Sequence, residues 1–462
     1  MDGYTRETLE RLPLAETVLR LWQHALSGQI LRGIFEEHRG RSYEGVLSFE
    51  ALVQLVADAL LEHQGSGRQA FQRAGEAGEL PTSQEAVYGK LRRLPISLSN
   101  GFLFGGTRRL EEVVPAAGSP LPESLRDFEC LIIDGKKLKH LPKRMKVARG
   151  VKGAVLGGKA VAALSWETGL AVAMNGHLDG EASDAPLMPG LMEQLDARRS
   201  GPRLFIEDRQ FCDLVQPWLC MRHKEDRFLI RYHPKVKFYR DKTRRLVRGV
   251  DAQGRSYVQE WGWLGGPKDT RRLYVRRITL YRKGEENVIL VTDLLDDERY
   301  PAEDLLAAYL ARWGIERVFQ RITEVFHLNN LIATSAEGTL FQFAFCLLLY
   351  NLTEIIRRYL AAQQKLPVER ISLEQLFYDV QRQLIAWSEL TEPAATVRAL
   401  RPIDDPRQLR RYLKAILAPT WTDRWLKAPP KKHAPKRKSH DSPAIPGAHT
   451  SLHRLLQAST AR

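Results

Sequence analysis

Residues 128–135 read FECLIIDG and residues 203–208 read RLFIED. Each is a short apolar run closing on an aspartate, the pattern of a buried strand ending at a turn. Around them the chain alternates. Ala160–Trp166 and Leu170–Asn175 have strand character and are joined by Glu167-Thr168-Gly169. Residues 184–197 have helical character, Phe211–Met221 follows as a helix and Arg227–Tyr232 as a strand. Strands and helices alternating around one sheet define an α/β fold.

Outside this core the character changes. Residues 1–115 are predicted helical, with Ser48 capping one helix and Ser83 a second that carries Tyr88, Lys90, Arg92 and Arg93. That second helix reads either as a DNA-recognition helix or as a solvated basic face. Residues 235–290 hold short strands (Ser256–Trp263, Leu273–Tyr281) between Gly-rich turns, an antiparallel β insertion. Positions 221–283 carry 19 Lys and Arg against 6 Asp and Glu, a surplus of 13 within a chain of net charge +15. A β segment this basic suits a DNA backbone. A long helix is expected from Pro301 to about His327, with others at 337–360, 373–389 and 407–417. The tail from Lys427 (KAPPKKHAPKRKSHD) is rich in Lys, Arg and Pro and is expected to be disordered. The domain division is thus 1–115, 125–234, 235–290, 291–360, 361–425 and 426–462.

The 462 residues exceed one ordinary core, and the 44% hydrophobic content is enough to pack two or three. The basic balance favours a polyanionic partner. No basic-then-apolar leader opens the sequence. The most apolar stretch, Leu340–Leu352, is broken by Gln342 and Asn351 and falls short of the ~20 residues that span a bilayer, so it reads as a core helix. Cys130, Cys212, Cys220 and Cys346 form no CxxC pair and are expected to be buried small hydrophobes. The expectation is a cytoplasmic, nucleoid-associated protein with no membrane partner.

Asp134 and Asp208 each close a strand, where a carboxylate is held rigidly and is open to solvent. An Asp there is also an ordinary turn former. The third element is YLARWGIERVFQRITEVF, residues 309–326. On one helix Tyr309, Arg312 and Glu316 fall within ~60° of one another, beside an apolar stripe of Ile315, Phe319, Ile322 and Phe326. Such a face aims one carboxylate at a metal while Arg and Tyr take phosphate oxygens; an amphipathic helix with an Arg–Glu pair gives the same spacing. Carboxylates suit Mg²⁺, and two ions ~3.5–4 Å apart can activate a nucleophile and stabilise a leaving oxygen.

Tyr309, Arg312 and Glu316 reproduce Y-x2-R-x3-E, and the chain here resembles the bacterial insertion-sequence transposases with the Y-R-E-K signature, a DDE family that includes cut-and-paste enzymes with hairpin intermediates. The flanks VTDLLDDERYPAEDLLAAYLARWGIERVF and LLLYNLTEIIRR resemble that family too, as do Asp208-Arg209 and Asp134-Gly135. The likeness covers about 125–360 and is strongest over 290–360. It implies a ribonuclease-H-like mixed sheet flanked by helices, a β insertion before the Glu, and two Mg²⁺ ions on Asp134, Asp208 and Glu316 with Mn²⁺ as a substitute. It also implies double-stranded DNA as partner (terminal inverted repeats and target) and a synaptic dimer. The signature's Lys falls on Thr323, a candidate DNA contact whose hydroxyl can hydrogen-bond a phosphate but carries no charge. Arg321 points ~160° away on the helix. The loop after Asp134, beginning Lys136-Lys137, is the candidate replacement, with Arg209, Tyr309 and Arg312 as further DNA contacts. In hairpin-forming relatives an aromatic of the insertion stacks on a flipped base; Trp261 or Trp263 fits that role, or both pack a small sheet. The expected activity is metal-dependent DNA cleavage and strand transfer. The alternatives are an inactive or domesticated DNA-binding descendant and a nuclease of the same fold.

Overall fold

The computed structural model describes residues 3–116, 120–138, 145–428 and 449–460. Its twelve strands are β1 (Glu129–Lys137), β2 (Ala154–Leu156), β3 (Lys159–Ser165), β4 (Ala171–His177), β5 (Arg203–Glu207), β6 (Arg227–Arg231), β7 (Phe238–Arg240), β8 (Val247–Val250), β9 (Ser256–Leu264), β10 (Leu273–Leu280), β11 (Val288–Thr292) and β12 (His449–Ser451). Ten of them form one sheet in the order β4-β3-β1-β5-β6-β11-β10-β9-β7, with β8 also on β9. The meander β4-β3-β1 is antiparallel and β1-β5-β6 is parallel. This mixed sheet, flanked by helices and bracketed by helical N- and C-terminal regions, is the fold class expected from the sequence, consistent with a ribonuclease-H-like fold.

Three segments refine the sequence reading. The basic β segment is antiparallel, as expected, and is continuous with the core: β11 pairs antiparallel with β6, so β7–β10 prolong the central sheet. The long helix from Pro301 is two helices, Ala302–Ala311 and Trp313–Glu324. At the step between them the Arg312 N–H reaches the carbonyls of Tyr309 and Leu310, and the Ile315 N–H that of Arg312. This is a tightened turn of the kind found at functional hinges. The third segment is the C-terminus. Residues 429–448, most of the expected tail, lie outside the described residues, whereas β12 pairs parallel with β2 and Leu452–Thr460 is helical. Arg454 ties this end to Asp179 and Glu181.

The helix Ala336–Gln364 runs through the centre. It is apolar and long enough to cross a membrane by composition, yet that window is wholly buried in the protein. The polar residues that interrupt it have partners. Asn351 accepts the Ala171 N–H (2.8 Å) and donates to Ala171 O and Thr107 Oγ1 (both 2.8 Å), knotting this helix to β4 and to helix Ile96–Glu111. Gln342 accepts the Ile332 N–H (2.9 Å) and donates to Asn330 O (2.9 Å). The four cysteines are buried and unbridged.

In the N-terminal region Ser48 and Ser83 cap their helices by accepting the N–H groups of Ala51 and Ala86. The helix after Ser83 spans only Gln84–Leu91. Tyr88 packs on Phe71, and Lys90 donates to the Leu47 carbonyl. Tyr88 and Lys90 therefore serve the fold, and Arg92 and Arg93 fall beyond the helix.

Candidate active site

Parallel register brings the two aspartates together. Ile133 of β1 pairs with Glu207 of β5, so Asp134 and Asp208 are the next residues along neighbouring strands. β5 stops at Glu207 while β1 runs on through Gly135 to Lys137 against β3. The cleft opens where one strand has ended. Asp134-Gly135 is thus strand rather than turn. The glycine is needed for close approach: a Cβ at Gly135 would lie 2.1 Å from Asp184 Oδ1. Asp184 in turn pairs with buried Lys159 at 2.8 Å. Neither residue was singled out in the sequence, where each looks like an ordinary surface charge.

The helix pair brings the third carboxylate. Trp313–Glu324 packs its Ile315, Val318, Phe319 and Ile322 face inward against β1. Tyr309 Oη donates to Asp208 Oδ1 at 3.2 Å. Arg312 Nη1 donates to Asp134 Oδ2 at 3.0 Å, and its Nη2 to Glu316 Oε1 at 2.6 Å. Asp134, Asp208 and the segment from Tyr309 to Glu316 are thus brought into one network, in which the Arg312 guanidinium also lies 5.6 Å from the Tyr309 ring centre. Burial, joined by the nearby Asp208 and Glu316, pushes the Asp134 carboxyl up to about 6, against Arg312 and the Gly135 N–H. Burial likewise pushes the Tyr309 hydroxyl up to about 12, with Asp208 adding and Arg312 opposing. Burial works against the charged Arg312, but Tyr309, Asp134, Asp208 and Glu316 outweigh it and hold its proton more firmly than usual.

Two points bear on Arg312 and the carboxylates. Arg312 is only 4% exposed, so its loss would cost stability as well as any contact to DNA. It also pairs with Asp134 as well as Glu316, which a simple i,i+4 helix pair would not do. The three carboxylates, moreover, are not gathered into a metal cage: among the described residues no group of three or more His, Cys, Asp or Glu is placed to hold a metal ion. The Arg312 guanidinium stands between Asp134 and Glu316, offsetting their like charges, and Asp208 is held by Tyr309 instead. The donor chemistry suits Mg²⁺ or Mn²⁺, but the arrangement does not fit the ions while Arg312 stands there.

The other candidates lie around this network. A cavity of about 390 Å³ beside it is lined by Gly135, Lys136, Lys137, Lys159, Gln210 and Thr323, among others. Thr323 Oγ1 donates back to the Phe319 carbonyl at 2.7 Å. Lys136 Nζ lies 5.8 Å from the Phe319 ring centre, one helical turn from Thr323. Arg321 belongs to the opposite side, where burial lowers its pKa amid Tyr350, Arg357 and Glu354. Arg209 is on the surface, 3.4 Å from Glu286. Trp261 is 2% exposed, gives its Nε1–H to Leu295 O at 2.9 Å and lies under Arg244. It is a core residue, which removes it as a base-stacking candidate. Trp263, toward the end of the same strand, is 37% exposed, with Arg272 over one face and Tyr274 against its edge.

Residues 126–352 match a family model described as "Transposase DDE domain". This stretch of the chain is similar to transposase DDE domains. The matched span opens just before β1 and closes within the central helix, so it includes the network, the basic strands and both helices around Arg312. Among solved structures, the chain is similar to a piggyBac transposase in a synaptic complex with hairpin DNA. The identity is 12% over 89% of this chain and 88% of that one, with a TM-score of 0.37. No curated protein matches.

Proposed function

We propose that this DDE-like domain makes the chain a DNA transposase of the bacterial insertion-sequence type. It would bind terminal inverted repeats as a synaptic dimer, cleave there, and join the ends to target DNA. The observation that carries this reading is the network in which Tyr309 and Arg312, from one turn of helix, bond Asp208 and Asp134 from adjacent strands while Arg312 also holds Glu316. Asp134 and Asp208 lie side by side at the open end of a parallel strand pair, with Glu316 tied to Asp134 through Arg312, beside a lysine-lined cavity. Tyr309 orients Asp208. Lys136 and Lys137 receive backbone phosphates of the DNA strand, the task Thr323 cannot perform with its hydroxyl turned to the backbone. Asp134, Asp208 and Glu316 are the residues that would hold Mg²⁺, or Mn²⁺ as a substitute, once Arg312 is displaced; the metal would supply charge stabilisation for the attacking and leaving oxygens.

The test is cleavage of DNA carrying the element's own ends. Asp208→Asn is expected to abolish cleavage while end binding persists. Cleavage by that variant at the wild-type rate would refute the reading. A second reading, a DNA-binding descendant without turnover, is favoured by Thr323 at the signature's Lys position; it predicts specific end binding and no cleavage by the wild-type chain.

A further inference from the structure

The geometry points to Arg312 as a surrogate cation: in the DNA-free protein its guanidinium holds Asp134 and Glu316 in the place of a divalent ion, and a backbone phosphate of bound DNA draws it away to admit the metal. The inference rests on the reading of these carboxylates as the reaction's own. Three observations carry it. The guanidinium spends its two terminal nitrogens on carboxylates of two different elements, at 3.0 and 2.6 Å. Its side chain is 5% exposed, and its Nε is buried with no acceptor, so the pairing leaves one donor unmet. Arg312 also stands at the tightened step between Ala302–Ala311 and Trp313–Glu324, where a small backbone change redirects the side chain.

The competition follows from charge. A guanidinium between carboxylates and a hard dication between the same carboxylates are alternatives, because two cations there repel. The two non-bridging oxygens of a phosphodiester accept both prongs of the planar Arg guanidinium, as the two oxygens of a carboxylate do. Lys136 and Lys137 line the cavity beside the network and lie where an incoming backbone is attracted. DNA therefore arrives with the ligand that removes the arginine. Metal uptake is conditional on substrate, and the DNA-free protein holds no hydrolytic ion pair.

The experiment measures bound Mn²⁺ by the loss of the free-ion electron paramagnetic signal. An arginine in place in nine of ten molecules weakens apparent affinity ~tenfold. Without DNA, Arg312→Gln is expected to bind Mn²⁺ at least about tenfold more tightly than wild type, and Arg312→Gln/Asp134→Asn to lose that gain. If Arg312→Gln fails to fold, Arg312→Lys keeps the charge but cannot bridge both carboxylates, and an intermediate gain is expected. A mixed-sequence 30-base-pair duplex should raise uptake by wild type and leave Asp134→Asn unchanged, which cancels ions held by the DNA itself. Equal, tight and Asp134-dependent binding by wild type and Arg312→Gln would overturn the surrogate role and leave the carboxylate site standing. No binding by either form, with or without duplex, would overturn both the surrogate role and the metal-dependent reading.

Discussion

Glu207 is sealed beside the site without entering it. It is fully buried, one residue before Asp208, with Cys220 Sγ donating to one oxygen at 3.5 Å and the other oxygen unpartnered. Burial pushes its carboxyl up to about 8 from 4.5. The folded state then holds a proton that the unfolded chain releases, so the stability it contributes is complete below pH 4.5 and is lost as pH rises through about 8. Glu207→Gln keeps the shape and removes the titration. Chemical denaturation at pH 5 and pH 9 should show wild type losing more stability than the variant; parallel losses would mean that Glu207 ionises at no cost. Tyr309 gives a second test. Tyr309→Phe deletes only the bond to Asp208, so cleavage should fall ~10–100-fold, as for other groups that orient a functional ligand, while folding changes by no more than ~1.5 kcal/mol. Unchanged cleavage would show that Asp208 needs no such support.

Two helices set the site's geometry at the scale of elements. A continuous helix from Pro301 would place Tyr309, Arg312 and Glu316 on one face; in the two-helix arrangement the Arg312 side chain bonds Asp134 of β1 as well as Glu316 of the following helix. The central helix Ala336–Gln364 is the base on which Trp313–Glu324 rests, through Phe319 on Phe343. Its Asn351 knot is the element's weak point. Asn351→Ala would strand the backbone N–H of Ala171 in the core, at ~1–3 kcal/mol for an unmet buried group. Urea titration should report that loss; a change under about 0.5 kcal/mol would show that β4 and the helix hold together without the knot.

Across the whole molecule the basic surplus divides between scaffold and surface. Arg276 is buried on Gln259, Arg277 is paired with Glu260, and Arg255 with Asp251, so part of the charge at 221–283 stabilises the sheet. The lysines of the cavity beside Asp134 are better placed to meet DNA. Each phosphate contact adds ~0.9 to the slope of log affinity against log salt. Lys136→Ala/Lys137→Ala should therefore lower the slope by about 2 in a filter-binding or anisotropy titration. An unchanged slope would place the strand elsewhere.

The apolar runs before Asp134 and Asp208, and the spacing of Tyr309, Arg312 and Glu316, were legible in the sequence because strand and helix periods are local. Those local patterns also carried the mixed α/β fold and the buried central helix, whose Gln342 and Asn351 marked polar partners rather than a loop. Other features depended on residues far apart in the chain. The pairing of Ile133 with Glu207 sets the two aspartates side by side, and no local pattern encodes a parallel register. The burial of Trp261 and the partial exposure of Trp263, two residues apart on one strand, go with different partners: Arg244 and the Leu295 carbonyl on the first, Arg272 and Tyr274 on the second. The docking of β12 on β2 depends on a partner almost 300 residues away. Arg312 shows the division most clearly: its helix face was fixed by spacing alone, but its bond to Asp134, 178 residues distant, exists only because tertiary packing sets β1 against this helix, where the guanidinium offsets the like charges of Asp134 and Glu316.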